Sequence, residues 1–156
     1  MANDMKKFQE IFEGEWKWDR DENLVEAMKK MGNPEKEIEM FAGCKPTITF
    51  KLEGDYAFMN YEMVPGMGHK CTFKFNEEFD SKDELSGDNP TFHNKETATL
   101  TEDGVMVWVT KNQLTGPGKI DTYSEWFVKD GELHTPSSPL DDRSYKCNRI
   151  FKKVQK

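Results

Sequence analysis

Three cysteines and three histidines are the residue types best suited to metal binding or nucleophilic attack, and their spacing argues against both. Cys44, Cys71 and Cys147 form no CxxC pair and no Cys/His cluster. An odd count without such a pattern reads as reduced thiols in a reducing compartment. A zinc site would need a ligand pair at finger-like spacing, which is missing. His69, His93 and His134 fall in or beside turn sequences, far apart, so surface placement is expected. The paired carboxylates Glu77/Glu78 and Asp141/Asp142 read as solvated strand ends and loops. There is no Gly-x-Ser-x-Gly elbow, no phosphate loop and no HExxH. The chemistry expected is therefore binding, with no catalytic residue, no metal and no cofactor.

The elements around these residues suit a binding role. Phe8, Ile11 and Phe12 recur at helical spacing in an amphipathic opening segment. Glu15–Trp18 reads as a first strand. Leu24, Ala27, Met28 and Met31 form the stripe of a following helix, with Asp21 or Asn23 as its cap. Gly32-Asn33-Pro34 ends that helix and opens a second, with Ile38, Phe41 and Ala42 as its buried face. After Pro46 the period changes to two. Alternating runs at Thr47–Leu52, Tyr56–Tyr61, Lys70–Phe75, Lys95–Leu100, Val105–Thr110, Ile120–Val128 and Tyr145–Val154 are separated by Gly, Asp and Pro turns. Many short strands joined as hairpins predict an antiparallel barrel or sandwich.

Composition agrees. The chain has 156 residues, most simply one domain spanning 1–156 with residues 1–11 as an N-terminal extension. Apolar residues make up 35% and charged residues 33%, a balance that fits a barrel with a solvated outer face. Eleven Phe, four Trp and four Tyr argue against disorder. A net charge of −7 argues against a nucleic-acid partner. The segment Met1–Lys7 has no apolar signal core, and no apolar run approaches a membrane span, so a cytoplasmic location is expected.

Several short motifs now fall into one order. Gly14-Glu15-Trp16-Lys17 and Glu22-Asn23-Leu24 come first, then Ala42-Gly43-Cys44-Lys45-Pro46, Glu78-Phe79-Asp80, Gly104-Val105-Met106-Val107, Asp130-Gly131-Glu132-Leu133 and Arg149-Ile150-Phe151. Over roughly residues 12–154 this resembles the intracellular lipid-binding protein family, the fatty acid-binding protein-like members of the calycin superfamily. The resemblance implies an all-β fold: a ten-stranded antiparallel up-and-down β-barrel with a helix-turn-helix lid. It implies intracellular binding and transport of a hydrophobic ligand, a long-chain fatty acid or related lipid, by a monomer.

The resemblance also implies site residues. Arg149 matches the arginine that grips the ligand carboxylate from the last strand. Phe151 stands where the family has a tyrosine, and Trp126 where it often has a second arginine. Tyr123 or Tyr145 remain as substitute hydroxyls. Trp108 and Thr110 take positions that face the cavity. Leu24, Ala27 and Met28 match lid positions, Ala42 a small residue at the entrance, and Met67 a gating position. Lys29, Lys30 and Lys36 offer transient contact with an anionic membrane through the lid. The loops Ser81–Asn94, Asn112–Lys119 and His134–Asp142 look longer than a minimal barrel needs. With the missing anchors, they motivate an alternative: a barrel that has lost lipid binding and serves as a protein-interaction, structural or protective module.

Overall fold

The Phe8–Ile11–Phe12 stripe lies on α1 (Ala2–Phe12), which leads into β1 (Gly14–Glu22), α2 (Leu24–Lys30) and α3 (Glu35–Gly43). Strands then follow: β2 (Thr47–Glu53), β3 (Tyr56–Val64), β4 (Met67–Phe73), β5 (Phe79–Lys82), β6 (His93–Leu100) and β7 (Met106–Asn112). The chain ends with β8 (Thr122–Lys129), β9 (Glu132–His134), β10 (Ser137–Pro139) and β11 (Asn148–Lys153). The computed structural model describes residues 2–64, 67–82, 93–115, 120–144 and 146–154, without the side chains of 2, 3, 63, 64, 67–69 and 82.

The strands pair in the order β4-β3-β2-β1-β11-β9-β8-β7-β6-β5, each pair antiparallel. β10 adds to β8, and Ser137 N donates to Cys147 O at 2.8 Å. β9 and β10 are thus two halves of one strand, broken around Pro136. Counted so, the sheet is a nearly closed ten-stranded barrel with three helices. Closure leaves little open edge to manage.

Directly opposed residues in an antiparallel pair share a face, and so do alternate residues along a strand. That rule sets the interior. Trp16 pairs with Ile48 and Ile48 with Tyr61; Phe50 pairs with Met59 and Met59 with Cys71. On the other wall Glu96 pairs with Thr110, Ala98 with Trp108, and Met106 with Trp126.

The two ends are closed differently. α1 seals one. Phe8 and Phe12 are fully buried, with Phe8 set edge-on against Phe50, Phe73 and Phe75 at 5.7, 6.3 and 5.9 Å between ring centres. Burying each ring contributes about 2 to 3 kcal/mol. Ile11 rests on Gly104, where an added Cβ would meet its Cδ1 at 2.7 Å and the backbone φ of +83° already favours glycine. At the opposite end α2 and α3 make a small cluster of their own: Leu24, Ala27, Met28, Ile38 and Cys147, flanked by Met31 and Phe41. Glu26 in the first turn of α2 and Lys29 and Lys30 in its last turn suit the helix dipole.

Several sequence expectations need correction. The first strand runs Gly14–Glu22 rather than Glu15–Trp18. Asn23 precedes α2 with left-handed backbone (φ 58°) and makes no side-chain cap; its amide donates instead to Lys146 O at 3.0 Å. Ala42 is exposed, because the buried stripe of α3 is Ile38 with Phe41. The segment His134–Asp142 is not wholly loop: it begins in β9 and contains β10. Of the other two long loops, residues 83–92 and 116–119 lie outside the described residues.

Candidate functional site

Arg149 lies on β11 opposite Asp21 of β1, near the lid end of the barrel, and only 7% of it is exposed. Its Nε donates to Asp21 Oδ1 at 2.8 Å and its Nη2 to Asp21 Oδ2 at 3.3 Å. Nη2 also reaches the carbonyls of Phe41 (3.1 Å) and Cys44 (3.0 Å), where α3 gives way to β2. Asp21 accepts a third bond, from Trp18 Nε1 at 2.9 Å. The Tyr61 hydroxyl stands beside the guanidinium; burial pushes its pKa up while Arg149 pulls it down. One donor group is left over. Arg149 Nη1 is buried and has no hydrogen-bond partner among the described residues.

Two more buried donors share this property: the indole N–H groups of Trp108 and Trp126. Their rings lie 5.5 Å apart at 41°, inside a run of aromatic contacts. Trp126 meets Phe50 at 5.9 Å, and Trp108 meets Phe73 at 4.9 Å and Phe79 at 5.9 Å. Phe151, two residues beyond Arg149 on the same face, is fully buried. It packs in the main core and offers no hydroxyl. Unpartnered buried N–H groups are rare and call for an occupant, water or ligand.

A second polar spot lies on the far wall. Thr110 Oγ1 donates to Glu96 Oε1 at 3.1 Å, and the Ser81 hydroxyl also bonds that carboxylate. Burial raises the pKa of Glu96, and the two hydroxyls partly offset the rise. The Cys71 thiol is pushed up to about 12, by burial first and then by Glu96. It is poorly suited to nucleophilic chemistry. All three cysteines are free and buried. Among the described residues no group of three or more His, Cys, Asp or Glu could hold a metal.

The other residues singled out from the sequence distribute as follows. Leu24, Ala27 and Met28 are buried in the lid cluster. Ala42 faces solvent outside that cluster. Tyr123 points outward: its hydroxyl donates to Glu125 at 2.9 Å and the Arg143 guanidinium lies 3.8 Å over its ring. Tyr145 and the side chain of Met67 fall outside the described residues. Lys29, Lys30 and Lys36 are exposed. Sequence reasoning missed Asp21, Tyr61, Glu96 and Ser81. Glu96 shares the phase of Ala98 and Leu100 along β6, a signal that was there to read.

A cleft of about 460 Å³ opens at the other end, between α1 and the turns that include Asp55 and Glu77. It is a surface groove flanked by Lys6, Asp55, Lys74 and Glu77, and none of the three unpartnered donors lines it.

Fold and site together define a calycin-type barrel with a helical lid over a buried arginine. The chain belongs to the fatty acid-binding protein family: it is 37% identical over 121 residues to fatty acid-binding protein type 2 of Fasciola hepatica, covering 76% of this chain and 80% of that one. Human fatty acid-binding protein 9 is 35% identical over 102 residues, 65% of this chain and 72% of the relative. Among solved structures, a Schistosoma mansoni fatty acid binding protein in complex with arachidonic acid superposes with a TM-score of 0.75. The match covers 97% of this chain and 99% of that one at 23% identity, which speaks to the fold. No protein-family model matches the chain.

Proposed function

We propose that this protein binds one long-chain lipid, a fatty acid or a close relative, inside the barrel and carries it through the cell. The observation that carries the reading is the set of three buried N–H groups, on Arg149, Trp108 and Trp126, left without partners among the described residues. A lipid tail would lie along Phe50, Phe73, Phe79 and Phe151, and its polar end would accept from these donors. Arg149 Nη1 is the principal anchor. Thr110 contributes to the far wall, while Leu24, Ala27 and Met28 form the underside of the gate. The relatives named above are fatty acid-binding proteins, which supports the cargo class.

The remaining parts of the reading follow from the same frame. The chain acts as one barrel domain, monomeric, cytoplasmic and without catalytic activity or cofactor. No described helix is long and apolar enough to cross a membrane. The lid instead touches membranes transiently. Val25 and Met40 are exposed apolar residues on α2 and α3, beside Lys29, Lys30 and Lys36. Apolar tips among lysines suit brief contact with an anionic lipid surface. A net negative protein makes no partner for nucleic acid.

Fluorescent fatty-acid titration of delipidated protein, with competition by unlabelled lipids, tests the reading. Saturable binding at one site per chain is expected, and Arg149→Ala should weaken at least one bound lipid class by about tenfold or more. If Arg149→Ala leaves every bound lipid unaffected, the anchor is misassigned. If no lipid binds at all, the reading gives way to a barrel that works through its surface.

A further inference from the structure

Given a lipid in the barrel, the charge of its polar end can be read from what Arg149 already holds. An arginine binds a carboxylate through its flat fork, and that fork is filled here by the protein's own Asp21. Asp21 is 16% exposed at its side chain and Arg149 9%, so the pair is shielded from water on both sides. Trp18, the two carbonyls at the α3–β2 junction and the Tyr61 hydroxyl stand around the pair. The anchor is therefore electrically neutral before any ligand arrives.

The remaining interior does not restore a positive charge. Glu96, Tyr61 and Cys71 are further ionisable groups on the inward face, and each is neutral or negative, never positive. A second carboxylate brought in beside Asp21 would sit next to a like charge away from water, which opposes binding strongly. The donors left over point to something else. Arg149 Nη1 and the two indoles offer N–H groups without calling for a counter-charge. Register places Arg149 and Trp126 on one wall: Phe127 pairs with His134 and Ile150 with His134, which sets Trp126 beside Thr135 and Thr135 beside Arg149. With strands about 4.8 Å apart, β8 and β11 lie about 10 Å from each other across β9. Both donors therefore face the same stretch of the interior.

We propose that the cargo is a lipid with an uncharged polar end carrying oxygen acceptors, an ester, amide or alcohol, and that Asp21 sets this preference against free carboxylates. Asp21 is then a specificity residue. It occupies the place a ligand carboxylate would take and leaves Nη1 to a neutral acceptor. This inference rests on the carrier reading above but is separable from it.

The test holds the tail constant and varies the head. Delipidated full-length protein is titrated with oleic acid, oleamide, oleyl alcohol and 1-monooleoylglycerol at neutral pH. At least one neutral lipid should bind more tightly than oleate by about tenfold or more, the scale of a like-charge penalty. Asp21→Asn keeps an oxygen acceptor for Trp18 and Arg149 but removes the charge; it should raise oleate affinity about tenfold and leave the alcohol within about threefold. Oleate binding most tightly to the unaltered protein would overturn the neutral-head proposal and leave the carrier standing. Oleate affinity unmoved in a folded Asp21→Asn protein would overturn the role of Asp21. Binding of none of the four would overturn the carrier reading and the inference with it. Should Asp21→Asn fail to fold, the order of affinities in the unaltered protein decides alone.

Discussion

The two ends of this barrel do opposite things with similar materials. At the α1 end Phe8 and Phe12 join the main core without a break, ring against ring down to Phe50, Phe73 and Phe75. At the lid end Leu24, Ala27, Met28 and Ile38 pack mostly on one another, as a cluster distinct from that core. The first arrangement couples the helix to global stability. In the second, opening the pair of short helices would break mainly the contacts of that cluster, which includes Cys147 of the barrel wall. A helix of 7 residues and one of 9 hold little structure by themselves, so their seat on the barrel decides whether the gate is shut. Polar links hold that seat: Asn23 to Lys146 O, and Arg149 to Phe41 O and Cys44 O. The proposed ligand anchor and the lid latch share one side chain, Arg149.

The largest effect should come from the sealed end. Phe8→Ala removes a fully buried ring from the main core and should lower stability by about 4 kcal/mol. On a chain of this size that is a fall in Tm on the order of 10 °C, read by thermal or urea unfolding. A change under about 1 kcal/mol would show that α1 is an appendage rather than a seal.

Next comes the shared residue. Arg149→Met leaves the largely buried Asp21 carboxylate with the Trp18 indole as its donor among the described residues, and should cost about 3 kcal/mol. It should also speed ligand exchange, because two bonds to the lid junction go with it. Loss of stability without faster exchange would separate anchor from latch.

Within the lid, Met28→Ala should cost about 2 kcal/mol, the low end for a buried methionine. Its signature is kinetic: ligand off-rates should rise several-fold in stopped-flow displacement. If off-rates hold while global unfolding shifts as far as in Phe8→Ala, the two ends are not distinct.

The smallest effect concerns the far wall. Burial raises the Glu96 pKa above its unfolded value, so the folded state holds the proton more tightly. Stability should then decline as pH climbs from the ordinary carboxyl range to the raised folded value. Glu96→Gln should remove that decline and be more stable than the unaltered protein at neutral pH. Matching pH profiles for the two proteins would show that Glu96 has a hydrated surrounding.

The sequence made the barrel legible because its signals are local. Hairpin turns, alternation, and the Phe8–Ile11–Phe12 stripe each span a few residues. What it hid depends on long-range register. Asp21 is separated from Arg149 by 128 positions along the chain. A bulge between Trp18 and Arg20 shifts the phase of β1. Simple alternation from Trp16 and Trp18 would turn Arg20 inward and Asp21 out; the bulge reverses both, leaving Arg20 exposed beside Glu132. Tyr123 shows the same point in reverse. It is one residue out of phase with Ser124 and Trp126, so its hydroxyl serves the outer surface. β10 escaped notice because a Ser-Pro-rich stretch reads as a loop until a neighbouring strand pairs with it.

Native mass spectrometry of the protein purified from its source, followed by denaturing lipid extraction, tests the central claim most directly. One discrete lipid mass per barrel, displaced by an excess of competing lipid, is the result predicted. A chain that is empty as isolated, and that takes up neither fatty acids nor neutral lipids when offered them, would contradict it.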